Sequence, residues 1–381
     1  MRPIGLNNYR TEKKLTKLST ALAIIGLMFG TLLVGWYGFG PIGTAMLSVG
    51  GGGFALFCAW QLVTMVVLGI GWRIVAPLSE ARHLAPFVWG RMVRDAAASC
   101  LPFSMVGGFV LGVRAVTLHG ISWSVATLSM VVDLTAEFLA EIAFAVAGLL
   151  VLLARSADPS LTRPIVIGLA LALIVGAVAL RLQKGAVPLF VRFGRKMLGD
   201  WFAGRSGLEM TSEHELAAMY GHTGRMALST AIHLLGWLCK GIGNWIAFRL
   251  LGSDIDFMRA LAIEALLHAL LIPAFVVPGY AGVQEAGYAG IGALFGIPPE
   301  ISLGVSLLRR ARDIAIGTPI LLVWQLVEMR RLRDPRRFSA QDGYVVGAPG
   351  IEPCSPDGML QTVTGGRVNC RWLRSPATTD T

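Results

Sequence analysis

Asp133, Glu137 and Glu141 recur at i, i+4 and i+8 inside an apolar run over 125–153. That spacing puts three carboxylates on one face of a helix. In hydrocarbon each ionised group costs at least about 2.5 kcal/mol, so such a face lines a polar cavity, meets basic residues or holds protons. The alternative is a shorter span beginning near Glu137, with Asp133 left in the interface. The natural counterpart is Arg309-Arg310-Ala311-Arg312-Asp313, inside the apolar run 300–329. If that run is one helix of about 45 Å, the cluster lies within the membrane or at its outer edge. If it is two short helices, the arginines sit in a surface loop.

Other residues could join them. His233, Lys240 and Asn244 follow at i, i+7 and i+11, again one helix face. Lys240 is either a phosphate ligand, a counter-ion to the carboxylates, or a side chain that snorkels to the membrane surface. Glu264 and His268, at i and i+4, could relay protons or satisfy each other. Gly279 to Glu285 opens a helical run after Pro278, and the free N–H groups and positive dipole of a helix start attract anions. Gly107, Gly108 and Arg114 offer the same from an earlier segment. The expected substrate-binding set is therefore Arg309, Arg310, Arg312, Lys240, Arg114, Gly279, Gly282, Glu285, Gly107 and Gly108. Asp133, Glu137, Glu141, Asp313, Glu264 and His268 are expected to balance charge or couple protons. No metal, nucleotide or cofactor motif is present, and the five cysteines have no ligand or redox spacing.

The elements that must carry these groups are membrane helices. The chain has 381 residues, 54% of them hydrophobic and 15% charged, with a mean hydropathy of +0.64. The 55 residues from Leu18 to Trp72 contain no Asp, Glu, Lys or Arg, enough for two crossings of about 20 residues each. Apolar segments fall near 18–37, 45–72, 96–113, 125–153, 164–180, 226–248, 258–297 and 300–329. The 33 Lys and Arg against 23 Asp and Glu lie mostly between them, where they set orientation rather than bind nucleic acid.

Eight crossings would put the basic stretch 181–225 outside. The conflict disappears if 96–113, which carries Pro102, Gly107 and Gly108, enters the membrane and returns to the same side. The N-terminus, a loop from Arg73 to Asp95 with four Arg, the 181–225 linker and the cluster Arg330 to Arg337 then all face the cytoplasm. Leu101 to Phe109 also aligns without gaps to Ile272 to Tyr280 at an offset of 171 residues, matching Pro102/Pro273, Val106/Val277, Gly108/Gly279 and Phe109/Tyr280. At that offset position 141 maps to 312, acid to base.

The expected architecture is an all-α polytopic helical membrane protein. It has about six full spans and two re-entrant broken-helix hairpins in an inverted repeat. The membrane domain covers 1–338, with half one at 18–180, half two at 226–329 and the linker between. Within the linker, 186–203 reads as an interfacial helix or a plain loop. Residues 339–381 read as a disordered tail, in which Gly347 to Pro353 suggests a reading frame extended past an ancestral stop.

At Val277-Pro278-Gly279-Tyr280-Ala281-Gly282-Val283-Gln284-Glu285, then Gly296-Ile297-Pro298 and Leu308-Arg309-Arg310, the chain resembles the transmembrane region of lysylphosphatidylglycerol synthetases, a flippase-like family. Leu101-Pro102-Phe103-Ser104 with Gly107-Gly108 looks like its hopanoid-biosynthesis-associated, HpnL-like branch. The resemblance implies movement of a phospholipid or hopanoid-related lipid between leaflets of a bacterial inner membrane, with hopanoid biosynthesis proteins as partners. By position it matches Glu285 to the family Glu, and Arg309 or Arg310 to its Arg. After Arg337 only the polar tail remains, so transfer of lysine to lipid is not expected. The competing expectations are an intramembrane lipid-pyrophosphate phosphatase and a scaffold for hopanoid enzymes.

Overall fold

The computed structural model describes residues 49–78, 83–100, 104–155, 221–272, 277–333, 359–364 and 367–372, with isolated positions between them. Within 1–333 the described elements are helical. They are α1 (Gly50–Val75), α2 (Leu84–Cys100), α3 (Ser104–Thr117), α4 (Trp123–Arg155), α5 (Thr223–Leu250), α6 (Phe257–Leu271), α7 (Val283–Leu294) and α8 (Pro299–Arg333), with a 3-10 turn at Pro278–Tyr280 before α7. The segments expected at 18–37 and 186–203, and nearly all of 164–180, lie outside the described residues.

Helices α1 and α4 are each long and apolar enough to cross a membrane, with hydropathies of 2.0 and 2.2 over their best windows. Large apolar side chains point outward: Leu56, Leu150, Ile314 and Leu326 are all more than half exposed. Charged ones point inward, with Asp133 at 0%, Glu264 at 1% and Arg91 at 2% exposure. A soluble protein reverses this distribution, because water solvates charge and expels apolar surface. A helical membrane protein needs it.

The repeat extends far beyond the nine aligned residues. Shifted by 171, α1 maps to 221–246 against Thr223–Leu250 for α5, and α2 maps to 255–271 against Phe257–Leu271 for α6. The shifted α4 maps to 294–326, against Pro299–Arg333 for α8. Packing follows the same rule: α1 lies on α5, α2 on α8 of the other half, and α6 on α4 of the other half.

Several expectations are corrected here. The apolar run 96–113 is part of a longer helix pair, α2 and α3, because α2 begins at Leu84 within the stretch expected as a cytoplasmic loop. Arg91 and Arg94 of that supposed loop are buried. The run 258–297 divides into α6, the turn and α7, with a helix opening after Pro278 as the sequence predicts. Conversely, 299–333 is one helix of about 52 Å, which removes the surface-loop alternative for the arginines. Asp133 lies ten residues inside α4 and is fully buried. In the tail, Met359–Thr364 pairs antiparallel with Arg367–Trp372, where the composition suggested disorder. Gly347 to Pro353 lies outside the described residues.

Gly108 now has a packing role. A Cβ on it would fall 2.7 Å from the backbone oxygen of Arg94, so its lack of a side chain lets α3 close on α2. Gly108→Val should force the hairpin apart and cost about 1–3 kcal/mol, the usual penalty of overpacking, read as a lower Tm in detergent.

Candidate functional site

A cavity of about 500 Å³ lies between the two hairpins. Each hairpin contributes the aromatic that the repeat aligns, Phe109 from α3 and Tyr280 from the turn before α7. Each of the eight described helices contributes to the walls, and the Arg, Lys, Asp and Glu side chains come from α2, α4, α5 and α8, four helices that are distant in sequence.

Half one supplies a clasp of five charged side chains. Arg91 donates from Nη1 and Nη2 to the two Glu137 carboxylate oxygens at 3.0 and 2.6 Å, and from Nε to Asp95 at 3.0 Å. Arg94 donates to Glu137 at 2.7 Å and to Asp133 at 3.4 Å, with its guanidinium stacked 4.8 Å from the Phe109 ring centroid. The other oxygen of Asp133 lies 2.7 Å from His233 Nε2. Bidentate geometry and full burial make this the strong form of an arginine–carboxylate contact. Sequence spacing exposed the acidic half of the clasp but assigned its partner wrongly. The acids meet Arg91 and Arg94, not the 309–313 cluster. The available signal was the i, i+3 spacing of these two arginines beside an apolar run, which places them on one helix face.

Half two repeats the device with signs exchanged between helices. Arg309 of α8 donates to both oxygens of Glu264 on α6 at 2.8 and 2.7 Å, and His268 Nε2 lies 2.9 Å from the same carboxylate. Tyr288 accepts from Arg309 at 3.1 Å and donates to Asn244 at 3.0 Å. Tyr288 and Asn244 thereby fix the pair from behind.

Arg310 ties down the turn. It donates to both Glu285 oxygens at 2.6 and 3.1 Å and to the carbonyl oxygen of Gly279 at 3.0 Å. The turn needs that support, because Gly279, Tyr280 and Gly282 all have positive φ (58°, 51° and 76°), and Tyr280 pays for its own Cβ there. Glu285 also accepts from the Gly282 N–H at 2.8 Å. The open helix start expected to hold an anion already has one, from its own first turn.

The other expected residues divide clearly. Arg312 donates to Asp313 at 2.7 Å and lies over Phe57, and both charged groups line the cavity. Lys240 lines it too, its ammonium 3.6 Å from the Trp237 ring centroid, and Glu141 lines it from α4. Arg114 is elsewhere, donating to Glu328 at 2.8 Å. Gly107, Gly108 and Gly282 are not among the cavity-lining residues.

An apolar exterior around an ion-paired polar interior defines a helical membrane protein, and its two half-bundles share one cavity. The chain belongs to the family described as lysylphosphatidylglycerol synthase TM region, whose model matches residues 22–320. Membership ties it to membrane lipids. Neither a curated protein nor a solved structure matches it.

Removing one partner of a buried, hydrogen-bonded charge pair strands the other. Arg91→Met should therefore destabilise the bundle by about 3–5 kcal/mol. The double variant Arg91→Met, Glu137→Met should recover part of that loss in thermal unfolding.

Proposed function

We propose that this chain is a lipid translocase, in which the cavity takes the phosphate headgroup of a phospholipid or hopanoid-related lipid while the apolar part stays in the bilayer. No covalent step is required of it. The observation that carries the reading is the cavity itself. Its lining includes six cationic side chains, Arg91, Arg94, Lys240, Arg309, Arg310 and Arg312, at the meeting point of the two hairpins. Its volume falls in the range of about 300–1,000 Å³ usual for small-ligand sites. Among the described residues Lys240 has no carboxylate to hold, and the Arg310 side chain keeps 30% of its surface exposed, so these two have the most capacity left for a phosphate.

In this reading the hairpins α2–α3 and α6–α7 are re-entrant, and the chain is a multi-pass protein of a bacterial inner membrane with both termini in the cytoplasm. A role in hopanoid synthesis or transport follows from the branch that Leu101 to Ser104 resembles. Membership of the lysylphosphatidylglycerol synthase family supports a lipid as the cargo.

The test is reconstitution of the full chain in liposomes with labelled phospholipids and hopanoids, followed by a leaflet assay. Lys240→Gln should slow redistribution of an anionic lipid about tenfold, equivalent to roughly 1.4 kcal/mol of lost headgroup interaction. Phosphate release from a lipid pyrophosphate would instead favour an enzyme. Indifference of cellular function to that substitution would favour a scaffold.

A further inference from the structure

Charge pairing around the cavity leaves two groups over. Asp95, Asp133 and Glu137 hold Arg91 and Arg94, while Glu264, Glu285 and Asp313 hold Arg309, Arg310 and Arg312. Lys240 and Glu141 both line the cavity, and among the described residues neither forms an ion pair. With Lys240 charged and the imidazoles of His233 and His268 counted as neutral, the six cations are matched by those six acids, and the set is neutral without Glu141. An ionised Glu141 puts it one negative charge in excess.

The groups that face Glu141 confirm how few can compensate it. Helix α5 brings Lys240, α6 brings His268, and the turn before α7 brings Tyr280. Its own helix brings Glu137, one turn away and held by two arginines. Helix α2 brings Arg91, Arg94 and Asp95, and α8 brings Arg309, Arg310, Arg312 and Asp313, each already in an ion pair, with Arg310 the most exposed of these arginines. The cavity residues of α1 and α3 are the uncharged Gln61 and Phe109.

An anionic headgroup entering this space adds negative charge beside Glu141. The two then oppose each other, unless Glu141 gains a proton. By linkage, the anion raises the proton affinity of Glu141, and a protonated Glu141 raises the affinity for the anion by the same factor.

We propose that Glu141 is the proton site of the cavity, taking up a proton from water as an anionic headgroup binds, so that lipid and proton occupy the cavity together. The inference rests on the headgroup reading above. No bond other than the carboxyl O–H forms.

The test is isothermal titration of the detergent-purified full chain with short-chain phosphatidylglycerol, in buffers of different ionisation enthalpy, so that proton uptake is read separately from affinity. The native protein should take up protons on binding, with its Kd falling as pH is lowered by at most about tenfold per pH unit, the limit for one linked proton. Glu141→Gln should bind without uptake and with a flat pH dependence, while Glu141→Asp should restore both. Binding of net-neutral phosphatidylcholine should take up none. Native binding without uptake, or uptake that persists in Glu141→Gln, overturns the proton site. Failure of the native protein to bind phosphatidylglycerol overturns the headgroup reading beneath it. Should Glu141→Gln not fold, Glu141→Asp carries the test: its uptake must be displaced in pH relative to native, and an unchanged curve counts against Glu141.

Discussion

A guanidinium inside an apolar bundle is tolerable only while carboxylates hold it, and Arg91, at 2% exposure, is held by two. Its contact with Glu137 spans from α2 to α4, so the first hairpin cannot move off the long helix without stranding charge. Arg94 and Asp133 double the constraint, and His233 extends it to α5 in the other half. The position of the hairpin, and with it the wall of the cavity, follows from this one requirement.

The second half meets the same requirement on a matching backbone with different residues. Positions 141 and 312 are Glu and Arg, and positions 114 and 285 are Arg and Glu. In half one the hairpin helix α2 carries the bases and the long helix α4 the acids. In half two α6 carries the acid and α8 the base. The helix pattern thus repeats, whereas the buried ion pairs do not: at the same offset Arg91, Glu137 and Glu264 fall on Ala262, Leu308 and Val93. A ligand in the cavity meets Phe109 and Tyr280 as equivalents, yet meets differently placed charges beyond them.

Much of this was legible in the sequence because hydrophobic runs and helical spacing are local. The acidic face of α4, the continuity of α8, the repeat offset and the family resemblance could all be read from short stretches. Arg91 and Arg94 could not, for a physical reason. The rule that places arginines in loops counts charge without regard to partners, and these two are stabilised by residues about 40 positions away. Glycine gave a similar ambiguity. Gly108 and Gly279 look alike in the alignment, but one admits a neighbouring helix and the other admits a positive φ. The role of Glu285 as the cap of its own helix also depends on a turn geometry that its residue type does not announce.

The arrangement of the clasps bears on how the protein is made. Arg91, Arg94, Asp95, Asp133 and Glu137 all precede α5, and the two arginines find their carboxylates without help from the second half. Chains emerge from the ribosome N-terminus first, and early units fold while later ones are still being synthesised. The first half can therefore enter the bilayer with Arg91 and Arg94 already paired, without waiting for Glu264 or Arg309 to be translated. His233 and Glu328 arrive later, closing Asp133 and Arg114 from outside. Order of synthesis and order of pairing coincide for Arg91 and Arg94, which await only the translation of α2 through α4, whereas Arg114 meets Glu328 once α8 is made.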